Sequence, residues 1–134
     1  MRVIFIGILL LAVVSCSSTT DITKNPAAMT DFVMGQVYAL KKAVWIRQGT
    51  LLTLRGKEPA DSEGILSPGT KLVVRKAVVE RSLEVGTYTD VFAEVLSGEH
   101  KGKTVNVGVI SEVLKTGYTK RDPTMLEPVG NGSQ

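Results

Sequence analysis

Lys103-Thr104-Val105-Asn106-Val107-Gly108-Val109 sets valine against polar or small residues at every second position. A period of two turns the valines to one side of a strand and their neighbours to the other, so the stretch predicts a half-buried β-strand. Residues 97–102, glycine-rich at both ends, read as the hairpin loop that joins it to a preceding strand over residues 87–96. In that strand Val91, Ala93 and Val95 share one side, and Tyr88, Phe92 and Leu96 the other. Residues 70–81 predict another strand, with Leu72 and Val74 facing the core, and Leu83-Glu84-Val85-Gly86 is its turn. Further upstream, Val37-Tyr38-Ala39-Leu40 and Ala43-Val44-Trp45-Ile46 read as one long strand, bulged or kinked at Lys41-Lys42. Gly49-Thr50 is a turn signal, and Leu51-Leu52-Thr53-Leu54 predicts the remaining strand.

Outside this pattern two short helices are expected. Asn25-Pro26 has the chemistry of an N-cap and a first-turn proline, Met29, Phe32 and Val33 recur at three and four, and Gly35 is the terminator. Ser111-Glu112-Val113-Leu114 reads as a single helical turn. Residues 55–69 are the longest stretch of turn chemistry, either functional or mobile, with only Ile65 and Leu66 as apolar anchorage. Residues 119–134 read as a flexible tail. The fold expected is mainly β: a small five-stranded SH3-like barrel over residues 29–118, with one short N-terminal helix and a one-turn helix near the C-terminus. Closure of the barrel would remove exposed strand edges.

Ser67-Pro68-Gly69-Thr70-Lys71-Leu72-Val73-Val74 resembles the turn that leads into an apolar strand in bacterial SH3-type domains. Phe92-Ala93-Glu94-Val95, followed by Gly98, Gly102 and the valine strand, resembles their final hairpin. The family's arginine-serine-glycine-proline run is absent, and Trp45-Ile46-Arg47-Gln48-Gly49 stands nearest to it. The resemblance therefore brings no cell-wall site with it.

The chain begins Met1-Arg2, continues with an apolar run from Val3 to Val14 broken only by Gly7, and stops at Ser15-Cys16. Such a run is too short for a span of about 20 residues and has the layout of an export signal. Val13-Val14-Ser15-Cys16 resembles the lipobox of bacterial lipoproteins. That resemblance implies a signal peptide at 1–15, cut before Cys16, and a lipidated Cys16 followed by a flexible tether to residue 28. It implies the covalent lipid and no other cofactor. In enterobacterial lipoproteins aspartate after the cysteine favours the inner membrane; Ser17 here implies the periplasmic leaflet of the outer membrane if the cell is Gram-negative. Cys16 is the only cysteine, so no intramolecular disulfide is possible and the core alone must hold the domain.

Without its first 15 residues the 134-residue chain is 119 residues long, enough for one domain. It would carry 15 basic against 13 acidic side chains, a balance that does not read as a nucleic-acid binder. Gly98-Glu99-His100-Lys101-Gly102-Lys103-Thr104 resembles a P-loop one residue short, but a β alternation follows where a helix must open, so it reads as a hairpin turn. His100, the single histidine, reads as a loop residue. Glu58, Asp61 and Glu63 lack the ligand pattern of a calcium loop, and no metal site is expected. Asp90 and Glu94 read as the wet side of a strand, and Asn131-Gly132-Ser133 as an uninformative sequon. No catalytic residue is assigned. Trp45 and Arg47, two apart on one side of a strand beside a turn, are the candidate contact residues, against the alternative that Trp45 plugs the barrel. The function expected is that of a non-catalytic, lipid-anchored envelope module that binds or scaffolds an envelope protein or glycan. A small envelope hydrolase or wall-modifying enzyme, or a carrier of an apolar ligand, are the alternatives.

Overall fold

Valine-rich alternation in residues 71–95 builds a long antiparallel hairpin, and the other strands add to its two edges. A computed structural model describes residues 17–55 and 57–130. The signal segment at 1–15, Cys16 and the sequon at Asn131 lie outside the described residues. The strands are β1 (Ser18–Asp21), β2 (Val37–Leu40), β3 (Val44–Arg47), β4 (Thr50–Thr53), β5 (Ser62–Leu66), β6 (Lys71–Ser82), β7 (Gly86–Val95), β8 (Thr104–Asn106), β9 (Glu112–Val113), β10 (Thr119–Lys120) and β11 (Leu126–Pro128).

Nine of them form one mixed sheet in the order β11-β2-β6-β7-β8-β4-β3-β5, with β1 also on β6; β9 and β10 pair separately. Strand β7 takes one edge of β6 along its length, while β2 and β1 share the other, at Lys71–Val73 and Val78–Arg81 respectively. Among the described strands only β4 and β8 pair in parallel, where Thr50 faces Asn106. A bulge at Arg75 interrupts the β6–β7 register and keeps Leu72 and Val74 before it, and Ala77 and Val79 after it, buried. Strands β3 and β4 are joined by Gln48 and Gly49, both with positive φ (49° and 74°), the two-residue turn whose twist matches that of the strands.

Strands β2 and β3 are separated only by residues 41–43 yet lie towards opposite ends of the sheet order. Leu40 from one end, Val44, Ile46 and Leu66 from the other, and Val91, Val95 and Val105 from the middle join a single buried cluster. The sheet must therefore coil round that cluster, with the Lys41-Lys42-Ala43 corner carrying the chain across.

The five-stranded SH3-like barrel is not what forms, and no described residue is helical. Asn25-Pro26 does start a turn, with the Met29 and Thr30 amides donating to the Pro26 carbonyl. Thr30 then bridges to Thr119 and its hydroxyl accepts the Phe32 amide at 3.2 Å, which takes the chain out of helical geometry. Phe32 is buried edge-on against Tyr38, at 5.3 Å, whereas Val33 is exposed, so the apolar spacing there is not a stripe. The expected turn of helix at Ser111 gives way to β9, because Glu112 and Val113 find strand partners in Lys120 and Thr119. Residues 18–21, read as tether, are β1. The stretch read as a tail contributes β10, β11 and buried Met125 and Leu126. Within the long turn-rich stretch, Leu66 is buried and pulls residues 62–66 into pairing with β3.

Candidate functional site

Val44 and Ile46 are wholly buried on the inner side of β3, so Trp45 and Arg47 share its outer side, as the spacing of two requires. Trp45 faces Leu52 of β4 and Ile65 of β5, and the three make a cross-strand row outside the core cluster. Trp45 therefore does not plug the interior. Strands β4 and β5 flank β3 and are both antiparallel to it, so they run parallel to each other. The connection between them is a crossover that must return from the Val44 end of β3 to its Arg47 end. The Trp45 Nε1 is buried with no hydrogen-bond partner.

Asp61 pins the far end of this crossover. Its Oδ1 lies 2.9 Å from Arg47 Nε, and its Oδ2 accepts from Gln48 Nε2 at 3.2 Å. The hydrogen bond from Arg47, with help from Gln48, holds the Asp61 carboxyl below its usual value. Arg47, expected at a contact surface, is thus engaged within the chain, although both side chains remain exposed to water.

The near end of the crossover forms one wall of an open cleft of about 570 Å³, lined by Lys42, Leu54, Arg55, Val109, Asp122 and other residues. Leu54 and Val109 expose 44% and 58% of their surface, so the cleft presents apolar groups to solvent. Arg55 makes no ion pair among the described residues. Asp122 is held below the usual carboxylate value chiefly by the Thr124 hydroxyl, 2.6 Å away, with a smaller contribution from Lys42. One connection therefore joins two features: Leu54 and Arg55 border the cleft, and Asp61 at its far end holds Arg47.

The remaining chemistry-bearing residues are separated. Glu63 pairs with Lys103. Asp90 accepts from Asn106 Nδ2 at 2.9 Å, and Glu94 stands 3.6 Å from Arg75 Nε. His100, half-buried, lies against Gly64; a Cβ there would meet its Nε2 at 3.0 Å. Residues 98–103 form the turn between antiparallel β7 and β8, with the Gly102 amide donating to the Val95 carbonyl. Among the described residues no three of His, Cys, Asp and Glu gather as a metal site, and no helix is long and apolar enough to cross a membrane.

Sequence spacing placed Trp45 and Arg47 together but had no means of finding the cleft, whose walls come from residues 42–43, 53–55, 109–111, 122 and 124–125. The only local sign was Leu54-Arg55 at the mouth of a turn-rich stretch. Comparison of the chain with protein-family models, with curated proteins and with solved structures finds no match.

Proposed function

We propose that this protein is a non-catalytic, lipid-anchored module of a bacterial cell envelope that binds an envelope protein through the cleft beside Arg55. The membrane half of the reading rests on the lipobox-like Val13-Val14-Ser15-Cys16 at the end of a short apolar run. Lipid on Cys16 would hold the domain at a membrane surface, each buried methylene of an acyl chain contributing about 0.8 kcal/mol. In a Gram-negative cell Ser17 directs this reading to the periplasmic leaflet of the outer membrane.

The observation that carries the binding half is the cleft itself, where a guanidinium with no ion pair among the described residues stands beside exposed Leu54 and Val109. A carboxylate flanked by an apolar side chain on the partner would suit it, since Arg offers several fixed donors and the apolar pair excludes water.

The test is photo-crosslinking in intact envelopes from a benzoylphenylalanine placed at position 109. A discrete protein captured there and lost on Arg55→Glu supports the reading; capture indifferent to Arg55→Glu, or no capture, sinks it. Release of the Cys16→Ala protein into the soluble fraction checks the anchor separately.

A further inference from the structure

We infer that the tip of the β6–β7 hairpin, Leu83 and Val85, enters the lipid surface beside the N-terminal anchor and sets the orientation of the domain on the membrane. Leu83 and Val85 are 82% and 73% exposed, the most exposed of the large apolar side chains among the described residues. They stand on a firm support. The β6–β7 ladder continues to the pair Ser82 and Gly86, and the Val85 amide donates to Ser82 Oγ at 3.0 Å. Side chains held out at the end of a rigid two-stranded arm cannot retreat into the core.

The course of β1 bears on what covers them. Strand β1 is antiparallel to β6, and its first residue, Ser18, faces Arg81. Strand β6 runs from Arg81 towards the tip, so the chain preceding Ser18 leaves the sheet in that same direction. Residue 16 is two Cα steps from Ser18, which bounds its distance at about 7.6 Å. Leu83 is likewise two steps beyond Arg81. A lipid attached at residue 16 would therefore bring the membrane to the level of the tip, with no long tether to keep them apart. This inference rests on the lipoprotein reading proposed above.

The chemistry of the tip selects the apolar part of the interface and not charged headgroups. Arg81 and Glu84 offset each other, and the Arg81 guanidinium already lies 3.5 Å from Thr20 Oγ1. The domain would then meet the bilayer at two points, acyl chains and hairpin tip, and two points restrict its tilt where one would not.

The experiment uses the full lipidated protein in phosphatidylcholine vesicles. Cys16 is the only cysteine, and its sulfur is blocked once acylated, so Leu83→Cys offers one thiol for an environment-sensitive fluorophore. Glu99→Cys, in the turn at the opposite end of β7, is the reference position. The expected result is a blue-shifted emission at position 83, quenched by spin-labelled lipids, with neither effect at position 99. In a Val85→Asp background the quenching at position 83 should fall to that of position 99. Equal, water-like emission at both positions in a protein that floats with the vesicles overturns the inference and leaves the anchor standing. A protein that is unacylated and does not float overturns both.

Discussion

Thr119 donates its hydroxyl to the Thr89 carbonyl at 2.6 Å, and the Thr89 hydroxyl donates to the Gly117 carbonyl at 2.7 Å. Thr30 extends the chain of contacts by donating to the Thr119 carbonyl at 2.7 Å. All three threonines are buried, and together they fasten the N-terminal segment and β10 to β7. Thr119→Val keeps the shape, removes the donor and leaves a buried carbonyl short of a bond. The expected loss is about 1–3 kcal/mol. A urea titration should show a lower midpoint with an unchanged slope.

Gly64 has φ +126°, and His100 occupies the space where a side chain would begin. Gly64→Ala should therefore destabilise by about 1–3 kcal/mol, from backbone strain and crowding together. His100→Ala in the same chain relieves the crowding and leaves the strain. A double-mutant cycle by thermal or chemical unfolding should return a favourable coupling; strict additivity would mean that the imidazole simply swings away.

The Asp61 carboxyl, held low in the folded chain by Arg47, makes the link between the crossover and Arg47 strongest at neutral pH. A depressed carboxylate contributes above its unfolded pKa, and the contribution fades as pH falls through the folded one. As pH falls through that lowered folded-state value, Asp61 should release Arg47, and Trp45, two residues away on the same side of β3, should become more accessible. Trp45 is the only tryptophan, so acrylamide quenching of intrinsic fluorescence reads this directly. Asp61→Asn should show at neutral pH the quenching that the parent shows only in acid.

Leu126 is 1% exposed, in the strand that adds to β2 at the sheet edge. Leu126→Ala should cost about 2–5 kcal/mol, a core-sized effect in a stretch that reads as tail. Its exposed neighbour makes the contrast: Glu127→Ala should change stability by no more than about 0.5 kcal/mol.

Much of the β content is legible in local alternation. Val91, Ala93 and Val95 face inward as their spacing indicates, and Val105 does the same in β8. The expected helix at residues 25–35 fails because three apolar residues at helical spacing say nothing about Thr119, to which Thr30 is drawn. Trp45 and Arg47 do lie on one side of β3, but their neighbours are Leu52, Ile65 and Asp61. No spacing rule links those residues to β3.

By itself the sequence determined that residues 71–95 and the valine run after them form strands, which of their sides turns inward, and the apolar run that ends at Cys16. Those are local properties, written in a period of two or in the length of a run. Only the tertiary structure decided the strand order, the cleft and the fate of the two ends. Ser18–Asp21 is exposed at every position and has no inward side to announce it. It becomes a strand because β6 offers an unpaired edge, and backbone amides and carbonyls pair with whatever chain is brought to them.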